Sequence, residues 1–294
     1  MGELLALIAA FCWAVGFVVL RRVAGSFHVL QLNAMRLWGP ALMMPVGVFL
    51  LGIQDQYRQL EWMNYAAMTG SVLLGIGLGD SLLFVVMRSI GVVRSYSIGA
   101  TAPMFGLVYA VVLLGEEVTP MAVLGTAVII GGGILVTIRS ATAGRDAMLS
   151  GRAYWRGVAV AVAIAMMWGA DFVMLKIGVG DLNPIVSNSF RMPLAAISIS
   201  LLAWRVRGRV VPIEMTSRHR VVAVISGTIG LGAGSIFFLS AIQTLGAARA
   251  GALAAVSPVF TILLAAVILR ERPGWMAAVG TVMAVTGIVL LSTS

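Results

Sequence analysis

GIGLGDS, residues 75–81, lies inside an apolar run, and GLGAGSI repeats its three glycines at 230–236. Glycines at alternate positions weaken a helix by about 1 kcal/mol each relative to alanine. Poor helix formers kept twice at one spacing point to a duplicated unit whose glycines serve close packing and bending. The spacing is 155 residues. The same offset relates Trp13 to Trp168, Phe17 to Phe172, Asn33 to Asn188 and Arg36 to Arg191. It runs without a gap through Gly91 and Gly246, Pro103 and Pro258, Glu116 and Glu271, Gly125 and Gly280, and Gly132 and Gly287. A constant register through Trp, Asn, Arg, Pro and Glu does not arise by chance.

The solvent of this unit follows from composition. The 294 residues are 60% hydrophobic and 11% charged, with mean hydropathy +1.03, whereas soluble domains carry about 25% charged residues. A membrane-crossing helix needs about 20 mostly apolar residues. Ten such runs are predicted at 3–21, 30–52, 62–86, 92–114, 120–139, 156–177, 184–205, 218–241, 247–269 and 274–292. Lipid demands internally satisfied backbone, so continuous runs of this length are helices; the alternation of a barrel is missing. The expected fold is an all-α membrane protein of ten transmembrane helices. Five spans per copy is an odd number, so the second copy enters from the opposite face. The expected layout is a first repeat at 1–140, a basic linker at 141–155 and an inverted repeat at 156–294. Such repeats place a substrate site at mid-depth between the halves.

The net charge of +9 does not call for nucleic acid. Arginines concentrate in the connections after odd-numbered spans, for example Arg21 and Arg22, Arg152 and Arg156, and Arg205, Arg207 and Arg209. Arg58, Lys176 and Arg249 fall on the other side. That asymmetry is the positive-inside pattern. It predicts a bacterial-type cytoplasmic membrane with both termini on the outer side. MGELLALIAA lacks a basic leader region, so the first span is read as uncleaved. Cys12 is the single cysteine, which excludes a disulfide framework or thiolate metal site. GDSL at 79–82 matches the start of an esterase motif, but neither histidine follows an aspartate by three residues, and a serine without a base is not activated. GxGxxG is incomplete and follows no strand. No enzyme, metal or cofactor reading survives.

CWAVGFV and MWGADFV open the two halves; ATAPMF and AVSPVF supply a proline to the fourth span of each. With the closing segments LLGEEVTPMAVLGTAVIIGGGILV and ILRERPGWMAAVGTVMAVTGIVLL, these marks resemble the drug/metabolite transporter superfamily in its ten-span EamA-like branch, and within it bacterial amino-acid exporters, including aromatic ones. The resemblance covers essentially the whole chain. It implies a central cavity lined by spans 1, 3, 4, 6, 8 and 9.

Candidate substrate-binding residues lie on those spans. Trp13 and Trp168 sit at mid-span, where tryptophan, an interfacial residue by habit, invites a stacking role; Phe17 and Phe172 follow one turn later. Phe237 and Phe238 add aromatic surface. Asp80, beside Gly79, is an intramembrane acid, which marks a functional site by default; its counterpart is Ser235. It either takes a cationic group or proton, or pairs with Arg88 or Arg94. Asp171 is the second acid, with Lys176 as its bland partner; estimated depths place the two acids in opposite leaflets, as two gates. Pro103 and Pro258 act as hinges and free the carbonyls of Gly99 and Ala254. Tyr96, Ser97 and Thr101 give span 4 hydroxyls that span 9 lacks. Arg36 and Arg191 are read as snorkelling to the interface, the paired glycines of spans 5 and 10 as packing seams, and Glu116 and Glu271 as loop charges.

The expected function is export of small organic metabolites, foremost amino acids with aromatic or large apolar side chains, by alternating access. The expected partners are the small-molecule solute, membrane lipid and protons, with the chain acting as a monomer. A multidrug or sugar/nucleotide-type carrier of the same fold is the alternative. A non-transporting membrane enzyme or scaffold is the remaining reading; the sequence lacks a catalytic constellation for the first, and the second would not need intramembrane acids.

Overall fold

The structure, a computed structural model, describes residues 1–24, 27–90, 95, 98–140, 151–268 and 275–293. Among them every long element is a helix. α1 is Gly2–Ala24 and α2 is Val29–Leu50. α3 runs through Trp62–Ser71, a π-helical Val72–Gly79 and Asp80–Ile90. α4 is Ala102–Leu114, α5 Pro120–Ser140, α6 Arg152–Val179 and α7 Pro184–Arg207. α8 runs through Ser217–Gly227, a π-helical Thr228–Ala233 and Gly234–Ala254. α9 is Ser257–Ile268 and α10 Trp275–Ser292.

Among the described residues, five helical stretches are long and apolar enough to cross a membrane: Gly2–Leu20, Trp62–Leu83, Arg152–Val179, Pro184–Arg207 and Ser217–Ala254. Ala102–Leu114, Pro120–Leu135, Ser257–Ile268 and Ala278–Ser292 are shorter apolar helices. α4 and α9 are shorter than expected for one reason: each opens at a proline in its first turn, Pro103 or Pro258, instead of continuing through it. A first-turn proline lacks only an N–H that would be unpaired there anyway. The chain ahead of α9 turns at Gly246, whose φ of 84° and ψ of 168° interrupt α8.

The glycine stretches that weaken the helix do so at matching places: the π-helical turns at 72–79 and 228–233 contain Gly75, Gly77 and Gly79 or Gly230 and Gly232. Wide π turns recur at functional sites. Here they let another helix come close. Gly16 on α1 faces Gly230 on α8; a methyl on Gly16 would sit 2.9 Å from the Gly230 Cα.

α1 packs on α8 and α6 on α3; α1 packs on α9 and α6 on α4; α2 packs on α8 and α7 on α3; α2 lies along α7, and α5 along α10. Each pairing becomes another, or itself, when residues are exchanged by the 155-residue offset. The α5–α10 seam shows the register. A methyl on Gly125 would lie 2.9 Å from the Gly287 carbonyl oxygen, and one on Gly132 would lie 2.5 Å from that of Gly280. Residue numbers rise along one helix as they fall along the other, so the two cross antiparallel.

Candidate functional site

The two tryptophans occupy equivalent seats. Trp168 on α6 rests over Gly79, where a methyl would come within 2.6 Å of its Nε1, and over Gly99, where a methyl would come within 2.8 Å of its Cζ3. Trp13 on α1 rests over Gly234, where a methyl would come within 2.7 Å of its Nε1. Gly234 is the counterpart of Gly79, so each half's opening helix lays its tryptophan on the third glycine of the other half. Phe238 on α8, 3% exposed, joins the centre. Its ring meets Trp13 edge-on at 5.0 Å and Phe172 at 5.5 Å. Phe172 in turn fills the space left by Gly106 and Gly251. Phe17 is 43% exposed.

A charged cluster lies beside the aromatics. Asp171 packs its carboxylate against Gly75, where a methyl would lie 2.8 Å from Oδ2. Arg191 Nη2 stands 3.8 Å from the same oxygen, and Arg191 Nε donates to Ser71 Oγ at 2.8 Å. Asp80 feels the charges of Arg36, Asp171 and Arg191, and the Trp168 indole N–H faces it as a donor. Two acids and two arginines thus lie in one region, Arg191 buried and the other three half-buried, and their formal charges cancel. Asn188, one turn before Arg191, accepts at 2.8 Å from Ser235 Oγ.

Several expectations are corrected here. Arg191 does not snorkel: it is 6% exposed and turned inward, because Asp171 and Ser71 offer partners inside the bundle. Asp171 does not pair with Lys176, whose Nζ donates to the Ile242 carbonyl at 3.1 Å. α3 and α6 bring Asp80 and Asp171 within electrostatic reach of each other. Thr101 spends its hydroxyl on the Ile98 carbonyl of its own turn, at 2.6 Å. Ser97 and Tyr96 lie outside the described residues, as do Arg94 and Glu271. Glu116 is not a loose loop charge. Its carboxylate accepts from the Ala247 and Ala248 N–H groups at 2.8 and 3.1 Å, capping the helical turn that follows Gly246.

A cavity of about 270 Å³ lies next to that cap, lined by Glu116, Thr126, Lys176, Gly246, Arg249 and neighbours. It sits at one end of α4, α5 and α10, away from the tryptophan seats. Sequence reading missed Ser71, Asn188 and Arg191 as site residues. The signal was available: an Asn-x-x-Arg pair kept within a helix of both halves, polar groups that lipid penalises unless they are used.

A model described as the EamA-like transporter family matches this chain twice, over residues 1–138 and 155–293. A probable terminal-alkyne amino-acid exporter of Streptantibioticus cattleyicolor is 23% identical over 133 residues, 45% of this chain and 43% of that protein. An uncharacterized transporter of Archaeoglobus fulgidus is 27% identical over 128 residues, 42% of this chain and 43% of that protein. The chain therefore spans less than half the length of these curated relatives. A solved crystal structure superposes with a TM-score of 0.82 at 17% identity, covering 99% of this chain and 96% of that one. At that identity the likeness concerns the fold.

Proposed function

Because the chain belongs to the EamA-like transporter family, we propose that it is a secondary exporter of small organic metabolites, foremost amino acids with aromatic or large apolar side chains. Two inverted copies, 1–140 and 156–294 joined by the basic linker 141–155, rock about a shared site at mid-depth. The exchange of helix pairings under the 155-residue offset supports that reading. Such repeats move a fixed site between two faces of the membrane.

One observation carries the substrate class: the Trp168 indole faces Asp80, and Phe172, which meets Phe238 and through it Trp13 edge-on, follows Asp171 on α6. Aromatic faces receive an apolar side chain, and the charged groups beside them receive a polar head. The naming of one relative as an amino-acid exporter points the same way. In this conformation Phe238 packs between Trp13 and Phe172, so solute entry requires those rings to part. The breaks ahead of Pro103 and Pro258 are the hinges that let them. Trp13, Phe17, Gly79, Asp80, Ser97, Gly99, Thr101, Trp168, Asp171, Ser235 and Phe238 remain the residues assigned to the solute path, with Asp80 or Asp171 as the proton-coupling acid. The protein works as a monomer in a cytoplasmic membrane with both termini outside.

Uptake of radiolabelled phenylalanine into proteoliposomes tests this. The protein should take up label well above protein-free vesicles. Trp168→Ala should lose at least about tenfold, in line with the 0.5–1.5 kcal/mol of an aromatic contact added to its lost buried area. Equal rates with and without protein would refute it.

A further inference from the structure

We propose that the Arg191–Asp171 pair is the seat of a zwitterion: an α-amino carboxylate enters between the two side chains, its carboxylate on Arg191 and its ammonium on Asp171. This rests on the exporter reading and names the group on the solute that the site recognises.

The pair is held short of a full bond. Arg191 Nη2 and Asp171 Oδ2 are 3.8 Å apart, whereas charge-assisted N–H···O bonds are about 2.7–2.9 Å. The guanidinium carries five N–H donors, and Nε–H is the one hydrogen-bonded in the structure, to Ser71. On the other partner, Asp171 Oδ1 is buried with no hydrogen-bond partner. One helical turn from Arg191, Asn188 Nδ2 is likewise buried and unpartnered, although Asn188 Oδ1 is engaged by Ser235. Buried polar groups normally find a partner, and each one that does not calls for an explanation. Here two donor groups and one acceptor with unspent capacity adjoin each other on α6 and α7. That set matches a carboxylate and an ammonium carried by one molecule.

Charge balance sharpens the choice. Burying a charge without a partner is costly, and breaking a buried pair leaves such a charge behind. A zwitterion inserted into the pair gives each charge a new partner and adds no net charge. A lone amine adds a positive charge to that balance and a lone carboxylate a negative one, and either leaves one side chain of the pair without a new partner. The aromatic series alongside then receives the side chain.

Isothermal titration of the purified full chain in nanodiscs tests this with L-phenylalanine, phenethylamine and 3-phenylpropionate. Wild type should bind phenylalanine at least tenfold more tightly than either analogue. Arg191→Gln should abolish that preference over phenethylamine, and Asp171→Asn should abolish it over 3-phenylpropionate. Where a single variant does not stay monodisperse, the uncharged pair Asp171→Asn/Arg191→Gln takes its place and should bind all three probes within about threefold of each other. Phenylalanine binding unchanged in the variants, or equal binding of the three probes by wild type, overturns the seat and leaves the exporter reading standing. Leucine and serine that bind as phenylalanine does, with the same variant pattern, uphold the seat and remove the aromatic preference. If wild type binds no amino acid of the three, both fall.

Discussion

A single methyl group on α5 should separate a close helix crossing from an ordinary one. Gly132→Ala places its Cβ 2.5 Å from the Gly280 carbonyl oxygen and 2.9 Å from the Ala284 nitrogen. Both are backbone atoms of α10 and cannot swing away, so the helices must part. Overpacking of this kind costs about 1–3 kcal/mol, offset by about 1 kcal/mol of helix propensity gained over glycine. The net loss should be about 0–2 kcal/mol. Gly131→Ala is the control one residue away. Its Cβ meets the Met283 Cε alone, at 3.2 Å, the far end of a flexible side chain that moves at little cost. It should be neutral or up to about 1 kcal/mol more stable. Equilibrium unfolding in mixed micelles should therefore separate the two variants by about 2 kcal/mol, or several degrees in Tm at about 2–4 °C per kcal/mol. Gly287→Ala, whose methyl would meet the Gly125 carbonyl oxygen at 2.7 Å, should behave as Gly132→Ala does. Equal stability of Gly132→Ala and Gly131→Ala would refute the antiparallel seam.

Other expectations follow from single contacts. Glu116→Ala removes the acceptor of two N–H groups and should cost about 2 kcal/mol, whereas exposed Glu117→Ala should change thermal stability by less than about 0.5 kcal/mol. Gly246→Ala forces an L side chain into φ 84° and against the Glu116 carboxylate; melting should fall by at least the equivalent of about 1–2 kcal/mol. Phe238→Ala empties the centre of the aromatic series and should cost about 3–5 kcal/mol, read as a lower melting temperature.

What the sequence makes legible is what repeats. The 155-residue offset marks the glycines that seat Trp13 and Trp168, because close approach needs the same small residue in both copies. Apolar run length locates each helix, and the prolines of α4 and α9 announce a break. The site is less legible for a physical reason. Asp80 and Asp171 have no acidic counterparts, being matched by Ser235 and Gly16, so the repeat says nothing about their neighbours. Depth estimated along separate helices put them far apart. The π-helical stretch that ends at Gly79 sets the direction in which Asp80 leaves α3, and hydropathy does not encode it. Arg191 reads as a snorkelling residue when its helix is considered alone. Its inward course becomes visible only when α6 supplies Asp171 and α3 supplies Ser71.

In the proposed cycle, one site is opened alternately to each face of the membrane by two rocking halves. Counterflow tests that claim most directly: proteoliposomes loaded with unlabelled phenylalanine are diluted into a trace of labelled phenylalanine. A single alternating site predicts transient accumulation of label inside the vesicles above its outside concentration, abolished in Trp168→Ala. Label that only equilibrates, with no overshoot at any internal load, would contradict it.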